Sequence, residues 1–207
     1  MRNNGHAYFL RKLHSLSGVV PLGIFMFFHL LKNHAYAYST TFNTSFDVLG
    51  TWLDSEPYRT IIETVFIFVP LLFHAIYGVY VAATSGANVV RYRYFRNWFF
   101  VLQRVTGIIA FAFIVWHLYG TRLQMLLYGA SADATMMALI VGEPLGLACF
   151  LVGMLSCIFH FCNGLWTFLI TWGITVSPRS QKVSGVVAVV LFLVLAHIGV
   201  KTILVFA

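Results

Sequence analysis

Five long apolar segments constrain the fold of this 207-residue chain more than any other feature. A membrane-spanning α-helix needs about 20 consecutive, mostly apolar residues, and each segment reaches that length. None of them alternates apolar and polar residues as the strands of a membrane β-barrel do. The sequence therefore predicts an all-α integral membrane protein, with residues 1–207 forming a single membrane domain of five transmembrane helices. The predicted helices cover about residues 13–34, 59–84, 97–127, 143–174 and 183–206.

The composition agrees with this class and excludes an ordinary soluble domain. Hydrophobic residues make up 60% of the chain and charged residues only 9%, whereas a soluble domain has about 25% charged residues. The loops that remain leave no room for a separate soluble enzyme domain. We therefore expect membrane lipid around most of the surface, and no nucleic acid partner despite the formal net charge of +7.

The placement of the charges predicts how the helices are oriented in the membrane. Cytoplasmic loops carry an excess of Lys and Arg, and three basic clusters fall on one side of the predicted bundle, whereas all six carboxylates fall on the other. The sequence therefore predicts a cytoplasmic N-terminus and a C-terminus on the outer side. The clusters contain Arg2, Arg11, Lys12, Arg91, Arg93, Arg96, Arg179 and Lys182, and the carboxylates are Asp47, Asp54, Glu56, Glu63, Asp133 and Glu143.

Each of the first four predicted helices carries one histidine well inside its apolar segment. Ionisable residues inside a membrane are costly and usually functional. A single structural histidine would be ordinary, but four, one per helix, favour a functional set. At a rise of about 1.5 Å per residue, His29 and His117 lie in the outer half of the bilayer. His74 and His160 lie in its inner or central part, and His160 is paired with His74 partly by elimination.

A flat ligand held between facing histidines explains this pattern. In an up-and-down bundle, helices one and three are diagonal, as are helices two and four, and cofactors are bound in such bundle cores. Imidazole is a common axial ligand of haem iron, whereas zinc needs three or four ligands that converge at one point. The sequence therefore predicts a bundle of helices one to four that binds two non-covalent b haems. His29 and His117 would hold the outer iron, and His74 and His160 the inner iron.

Small and polar residues near these histidines are candidates for further haem contacts. Gly78 and Gly164 each follow a histidine by four residues and share its helix face, and Gly18 faces the same way as His29. With Gly107, these glycines would leave room for a porphyrin, although close helix packing would also explain them. At the inner interface, polar residues could meet the haem propionates or, alternatively, lipid headgroups. These polar candidates are Arg11, His14, Ser17 and Arg104.

The motifs around the histidines resemble a known family, and the resemblance covers almost the whole chain. The family is that of the di-haem cytochrome b membrane anchors of succinate:menaquinone oxidoreductases, which include quinol:fumarate reductases. The resemblance is to the succinate dehydrogenase anchors of Gram-positive bacteria in particular. The motifs are RKLHSLSG at 11–18, FHAIYG at 73–78, QRVTG at 103–107 followed by WH at 116–117, HFCNGLW at 160–166 and TWGIT at 171–175.

The resemblance implies a place in a respiratory complex of the bacterial cytoplasmic membrane. In such complexes a flavoprotein oxidises succinate, and an iron–sulfur subunit passes the electrons to the anchor, so both partners are expected on the cytoplasmic face. The resemblance gives the axial roles to His29, His74, His117 and His160 in the same pairs. Electrons would pass from the inner to the outer haem and then to menaquinone, the substrate. Some fumarate reductases carry a glutamate of a proposed proton path where this chain has Ile158.

Two questions stay open at the level of the sequence. The first is the role of Glu63, the carboxylate closest to hydrocarbon, which is a candidate proton relay at the quinone site. Pairing with Arg59, four residues earlier, is the alternative. The second is the complex itself, because a hydrogenase or a formate dehydrogenase can also carry a di-haem subunit. A haem-free transporter or channel would need polar residues along a path, and the helices offer few.

Overall fold

The structure, a computed structural model, describes residues 4–38, 58–86, 94–129 and 134–207. All regular structure within these ranges is helical, and five of the helices are long and apolar enough to span a membrane. The prediction of an all-α protein with five membrane-spanning helices is therefore confirmed for the described part of the chain. Helices one to five are Gly5–Tyr38, Thr60–Thr84, Phe95–Tyr128, Pro144–Thr171 and Pro178–Leu204.

Helix one is longer than the apolar segment that predicts it. Its first α-helical part, Asn4–Ser17, begins well before residue 13, and its last part ends at Tyr38. Apolarity marks only the part of a helix that lies in hydrocarbon, whereas the backbone hydrogen bonds continue into polar flanking residues. A short additional helix, Ala134–Val141, precedes helix four.

Three of the first four helices contain a π-helical segment. Helix one has Gly18–Gly23, which contains Pro21, and helix two has Thr64–Phe68, which ends just before Pro70. Proline has no backbone N–H and cannot complete the α-helical hydrogen-bond ladder, which accounts for these two segments. The third, Tyr119–Leu123 in helix three, contains no proline. Such segments within α-helices are frequent at functional sites.

Helices four and five are regular α-helices with well-defined ends. Pro144 and Pro178 stand at their starts, where the missing N–H would have no helical partner. The hydroxyl of Ser177 accepts a hydrogen bond of 3.0 Å from the backbone N–H of Ser180, and the Ser180 hydroxyl accepts one of 3.1 Å from Ser177. Helix four is followed by Gly173, whose φ of 73° suits a residue without a side chain. This turn makes the two helices antiparallel neighbours.

Helix four contributes most of the buried core in the described bundle. It packs against helices three and five, and helix five also packs against the Ile24–Tyr38 part of helix one. Within the chain, 33% of the most apolar stretch of helix four is buried, against 0% for helix two. Helix two therefore leaves its apolar side chains available to lipid or to a cofactor. The core consists of Val141, Phe150, Met154, Ile158, Cys162, Leu195 and Ile203.

The basic starts of the odd-numbered helices lie at one end of the bundle. Lys12 on helix one donates a hydrogen bond to the backbone carbonyl of Thr171, at the end of helix four. Arg96 on helix three donates one of 2.8 Å to Gln181 on helix five. Part of the charge pattern lies outside the described residues, so the membrane orientation stays a prediction. The positions concerned are Arg2, Asp47, Asp54, Glu56, Arg91, Arg93 and Asp133, together with the side chain of Arg59.

Candidate cofactor-binding sites

Two pairs of histidine rings face each other across the bundle. His29 of helix one and His117 of helix three have ring centres 6.1 Å apart, with ring planes at 73°. His74 of helix two and His160 of helix four also have ring centres 6.1 Å apart, with ring planes at 88°. The structure thus brings together the same two pairs that the sequence predicts from helix depth and, for His160, partly by elimination.

The separation within each pair fits one metal ion between the two rings. A metal-bound imidazole nitrogen lies about 2 Å from the ion, so two imidazoles on opposite sides of one ion have ring centres roughly 6 Å apart. Axial ligation of haem iron by two imidazoles has this arrangement. Within the described residues, no group of three or more His, Cys, Asp or Glu side chains is placed to hold a metal ion. Paired imidazoles are therefore the metal-ligating geometry that these residues offer.

Hydrogen bonds define which ring nitrogen of the inner histidines can bind a metal. Nδ1 of His74 lies 3.0 Å from the backbone carbonyl oxygen of His14, and Nδ1 of His160 lies 2.9 Å from that of Gln103. A carbonyl oxygen can only accept a hydrogen bond, so Nδ1 is the protonated nitrogen of both rings. The lone pair of each Nε2 is left for a metal, which is the usual arrangement of histidine ligands.

A third histidine packs directly against the inner pair. The ring of His14 stacks on that of His74, with ring centres 4.1 Å apart and planes at 6°. Ser17, which is buried, donates a hydrogen bond of 2.9 Å to the His14 carbonyl, and its hydroxyl lies 3.4 Å from His74 Nδ1. Nε2 of His14 is buried without a hydrogen-bond partner in the described structure. Arg11, one turn earlier, is exposed.

The four candidate glycines lie against the histidine cluster and its neighbours. A Cβ atom on Gly18 would come within 2.9 Å of His74 Nδ1, and one on Gly107 within 2.8 Å of His160 Cε1. Both distances are too short for a real carbon atom, so the imidazole rings require glycine at these positions. A Cβ on Gly78 would lie 3.0 Å from Nε2 of His14, and one on Gly164 would lie 3.3 Å from Nε2 of Gln103. The glycines thus leave room for side chains of the inner site, at places where the sequence predicts room for a porphyrin.

Among the described residues, aromatic rings rather than hydrogen-bond partners surround the rings of the outer pair. His117 stacks on Phe113, with ring centres 5.6 Å apart and planes at 17°, and it meets the edge of Phe150 at the same distance. His29 stacks on Phe25 at 5.3 Å. Nδ1 of His117 is buried and has no hydrogen-bond partner among the residues described. The outer rings are therefore positioned mainly by packing.

Arg104 lies next to the inner site and contacts helix two. Its Nη1 donates a hydrogen bond of 2.8 Å to the backbone carbonyl of Ser85, just after helix two, and its guanidinium carbon lies 3.8 Å from the centre of the Phe100 ring. Its Nη2 is buried without a hydrogen-bond partner in the described ranges. A buried guanidinium N–H that is not satisfied favours an anionic partner at this place.

Glu63 forms an ion pair across helices two and three. One of its carboxylate oxygens lies 2.8 Å from Nη2 of Arg122, and the two side chains are only 21% and 14% exposed. Arg59 is the alternative partner of Glu63 in the sequence, and its side chain lies outside the described residues. Sequence reasoning missed Arg122 because the two residues are far apart in the chain. The sequence did hold a signal for this ion pair, because both residues are predicted on the outer side and they carry opposite charges.

Sequence reasoning also missed the polar residues behind His160. Asn163 is buried, and its Nδ2 donates a hydrogen bond of 2.7 Å to Oε1 of Gln103. Uncharged amide side chains inside apolar helices were visible in the sequence. Their pairing across helices three and four depends on helix rotation, which the sequence does not define.

The fold and the paired imidazoles are those expected of one class, the multi-pass membrane cytochromes of b type. Comparisons with known proteins agree with this class. The family model described as succinate dehydrogenase/fumarate reductase transmembrane subunit matches residues 82–199. The succinate dehydrogenase cytochrome b558 subunit of Bacillus subtilis (strain 168) is 47% identical over 206 residues, which is 100% of either chain. No solved structure matches the chain.

The chain belongs to the family of succinate dehydrogenase/fumarate reductase transmembrane subunits. It is a cytochrome b subunit of such a complex, with haem b and a role in electron transport implied by the class. Its five apolar helices make it a multi-pass protein of the bacterial inner membrane.

Proposed function

We propose that this chain is a di-haem anchor of Gram-positive type, which passes electrons from the iron–sulfur subunit of succinate dehydrogenase through two b haems to menaquinone. The observation that carries the proposal is the presence of two separate imidazole pairs, each with ring centres 6.1 Å apart. The similarity to a succinate dehydrogenase subunit supports this complex over the hydrogenase or formate dehydrogenase that the sequence left open.

Four histidines would hold the two irons. His74 and His160 would bind the inner iron through Nε2, since Nδ1 of each donates to a backbone carbonyl. His29 and His117 would bind the outer iron. When bound, each haem supplies a one-electron carrier without an open coordination position, which suits electron transfer rather than oxygen chemistry. The protein keeps the rings in place so that little rearrangement accompanies electron transfer.

Polar groups beside the inner pair would bind the haem propionates. Nη2 of Arg104 and Nε2 of His14 are both buried without a hydrogen-bond partner in the described residues, and both can meet an anionic group. Arg11 is exposed at the same end and can reach the interface. Ser17 already donates its hydroxyl hydrogen to the His14 carbonyl, so we propose that its main role is to support His14 and His74 and that a hydrogen bond from it to a propionate is secondary.

Menaquinone would be reduced near the outer pair, next to the ion pair of Glu63 and Arg122. Arg122 follows His117 by five residues, roughly 7 Å along the helix axis. Reduction of the quinone to the quinol takes two electrons and two protons. Glu63 would take each of the two protons in turn from the outer side and transfer it to a quinone oxygen, while Arg122 holds the carboxylate in place.

The basic end of the bundle would receive the partner subunits. Lys12 and Arg96 contact the ends of neighbouring helices there, and Arg179 and Lys182 belong to the first turns of helix five. With a cytoplasmic N-terminus, this end faces the cytoplasm. A positively charged surface favours an acidic partner. We propose that the iron–sulfur and flavoprotein subunits dock on it.

Reduction by succinate tests this proposal in the whole complex, purified with its partner subunits. We expect two b haems per chain, reduction of haem on addition of succinate, and reoxidation by a menaquinone analogue. Fumarate added in place of succinate is the control and should reduce no haem. A haem-free complex, one haem per chain, or haems that dithionite reduces and succinate does not would contradict the proposal.

A further inference from the structure

His160 and Gln103 form a reciprocal pair of hydrogen bonds between helices four and three. The ring of His160 donates from Nδ1 to the backbone carbonyl of Gln103, at 2.9 Å. The side chain of Gln103 donates from Nε2 to the backbone carbonyl of His160, at 3.0 Å. One residue of helix three therefore fixes both the imidazole ring and the backbone that carries it.

Asn163 determines which way the carboxamide of Gln103 faces. It lies one turn after His160 and is only 4% exposed. Its Nδ2 donates to Oε1 of Gln103 at 2.7 Å and also approaches the backbone carbonyl of Phe99 at 3.3 Å. A carboxamide has one acceptor side and one donor side. Because Asn163 occupies the acceptor side, the NH₂ group of Gln103 must point to the His160 carbonyl.

Close packing leaves this network little freedom to move. Gly107 lies against the His160 ring, where a Cβ atom would come within 2.8 Å of Cε1. Gly164 lies against Gln103, where a Cβ atom would be 3.3 Å from Nε2. The two glycines let helices three and four approach closely enough for the hydrogen bonds to form.

Among the described residues, the other candidate ligands lack a network of this kind. His74 donates to the carbonyl of His14, and the nearest side-chain hydroxyl, that of Ser17, is 3.4 Å away. Nδ1 of His117 has no hydrogen-bond partner in the described structure. The amide network is therefore a feature of the His160 position.

We infer that Gln103 and Asn163 are positioning residues that set the orientation and the ligand strength of His160. This inference rests on the proposed inner haem. A hydrogen bond from the non-ligating N–H of a histidine orients the ring and raises its basicity as a ligand. Axial-ligand strength is one of the factors that determine the reduction potential of a haem. Loosening the network weakens the bond from Nδ1, makes the imidazole a poorer donor to ferric iron and raises the midpoint potential of the inner haem.

Two variants test this inference in the complete complex. Gln103→Met keeps the shape of the side chain and removes the hydrogen bonds of its carboxamide, while the backbone carbonyl that accepts from His160 Nδ1 remains. Asn163→Ala releases the carboxamide without adding bulk. The matched control is Thr167→Val, because Thr167 lies one turn after Asn163, is exposed and bonds only within its own helix. The measurements are haem content, redox titration of each haem and the electron paramagnetic resonance signals of the ferric haems.

We expect both variants to shift the inner haem to a more positive potential and to change its ferric signal, with the outer haem unchanged. Because both residues act through one network, the double variant should shift the potential no further than the larger single change. Selective loss of the inner haem would be the same effect in stronger form. Haem signals and potentials identical to those of Thr167→Val, or equal changes at both haems, would overturn the inference. A wild-type complex that lacks the inner haem would refute the proposed function itself, before any variant is compared.

Discussion

The inner and outer histidine pairs have the same ring separation but different surroundings. At the inner pair, both Nδ1 atoms donate to backbone carbonyls of neighbouring helices, and His14 stacks on His74. At the outer pair, Phe25, Phe113 and Phe150 pack around the rings. Hydrogen bonds thus fix the orientation of the inner rings, whereas packing against aromatic neighbours fixes the orientation of the outer rings.

This difference shows that one ligand geometry can be built in two ways inside a membrane. Hydrogen bonds to backbone carbonyls demand an exact approach of the helices, so glycine is required where the inner rings pass. Aromatic ring pairs allow several offset and edge-to-face arrangements, so this kind of packing tolerates small shifts of the helices. Arg122, which pairs with Glu63, follows His117 of the outer pair by five residues on helix three, and the proposed quinone site is at this end.

The largest effect is expected from filling the space at the inner pair. Gly107→Val would place carbon atoms against the His160 ring and displace it, so the inner haem should be lost while the outer haem remains. Haem content and the reduced-minus-oxidised spectrum measure this. Gly86→Val is the control, since nothing lies within 4 Å of a Cβ at Gly86. Retention of both haems in Gly107→Val would show that the His160 ring is not held in place by close packing.

The second largest effect is expected at Glu63 and should change quinone reduction without changing either haem. Glu63→Gln removes the proton-carrying group near the outer pair, and we expect quinone reduction to fall at least about tenfold, as for loss of a general acid or base. Haem content and succinate oxidation by a water-soluble artificial acceptor should not change. Glu143→Gln, which alters the carboxylate before helix four, is the matched control. Unchanged quinone turnover would remove Glu63 from the mechanism.

A moderate effect on the stability of the outer site is expected at Phe113, because packing holds the outer rings. Phe113→Ala removes the ring that stacks on His117 and should destabilise the outer site by up to about 3 kcal/mol, the lower end for loss of a buried phenylalanine. Thermal release of haem, followed by absorbance, should begin at a lower temperature for the outer haem alone. Phe111→Ala, on the same helix but exposed, should leave both haems as stable as before. Equal destabilisation of both haems would argue against separate modes of support.

The smallest effect is expected at the weakest contact of the inner pair. The Ser17 hydroxyl is 3.4 Å from His74 Nδ1, beyond ordinary hydrogen-bond length, and the His14 carbonyl remains as acceptor. Ser17→Ala should therefore cost less than about 1 kcal/mol and shift the inner potential less than Asn163→Ala does. Redox titration beside Thr84→Ala, a hydroxyl that bonds only within helix two, gives the comparison. A shift as large as that of Asn163→Ala would assign Ser17 a stronger role.

Helix number and helix class could be predicted from the sequence because they depend on segment length and apolarity. The depth of each histidine follows from the rise per residue, which is why His29 could be paired with His117 before their positions were known. His160 was paired with His74 partly by elimination. Depth does not define the rotation of a helix about its axis. Which side chains meet across the bundle, such as Glu63 and Arg122, was therefore not predictable.

The roles of the glycines and of the amide network illustrate the same limit. The sequence shows Gly18 and Gly107 as small residues on histidine-bearing helices. It does not show that the side chains packed against them are those of His74 and His160. The backbone carbonyls of His14 and Gln103 are acceptors that no side-chain pattern reveals. The π-helical segment without a proline, Tyr119–Leu123, likewise has no recognisable signal in the sequence.

The most direct test of the account is the haem content of four single variants, in which each paired histidine is replaced by alanine, beside His197→Ala on helix five. We expect His74→Ala and His160→Ala to lose one and the same haem, and His29→Ala and His117→Ala to lose the other. His197→Ala should keep both haems. If the losses follow any other pairing, or if a variant of one of the four keeps both haems with unchanged spectra, iron is not bound between these pairs of rings.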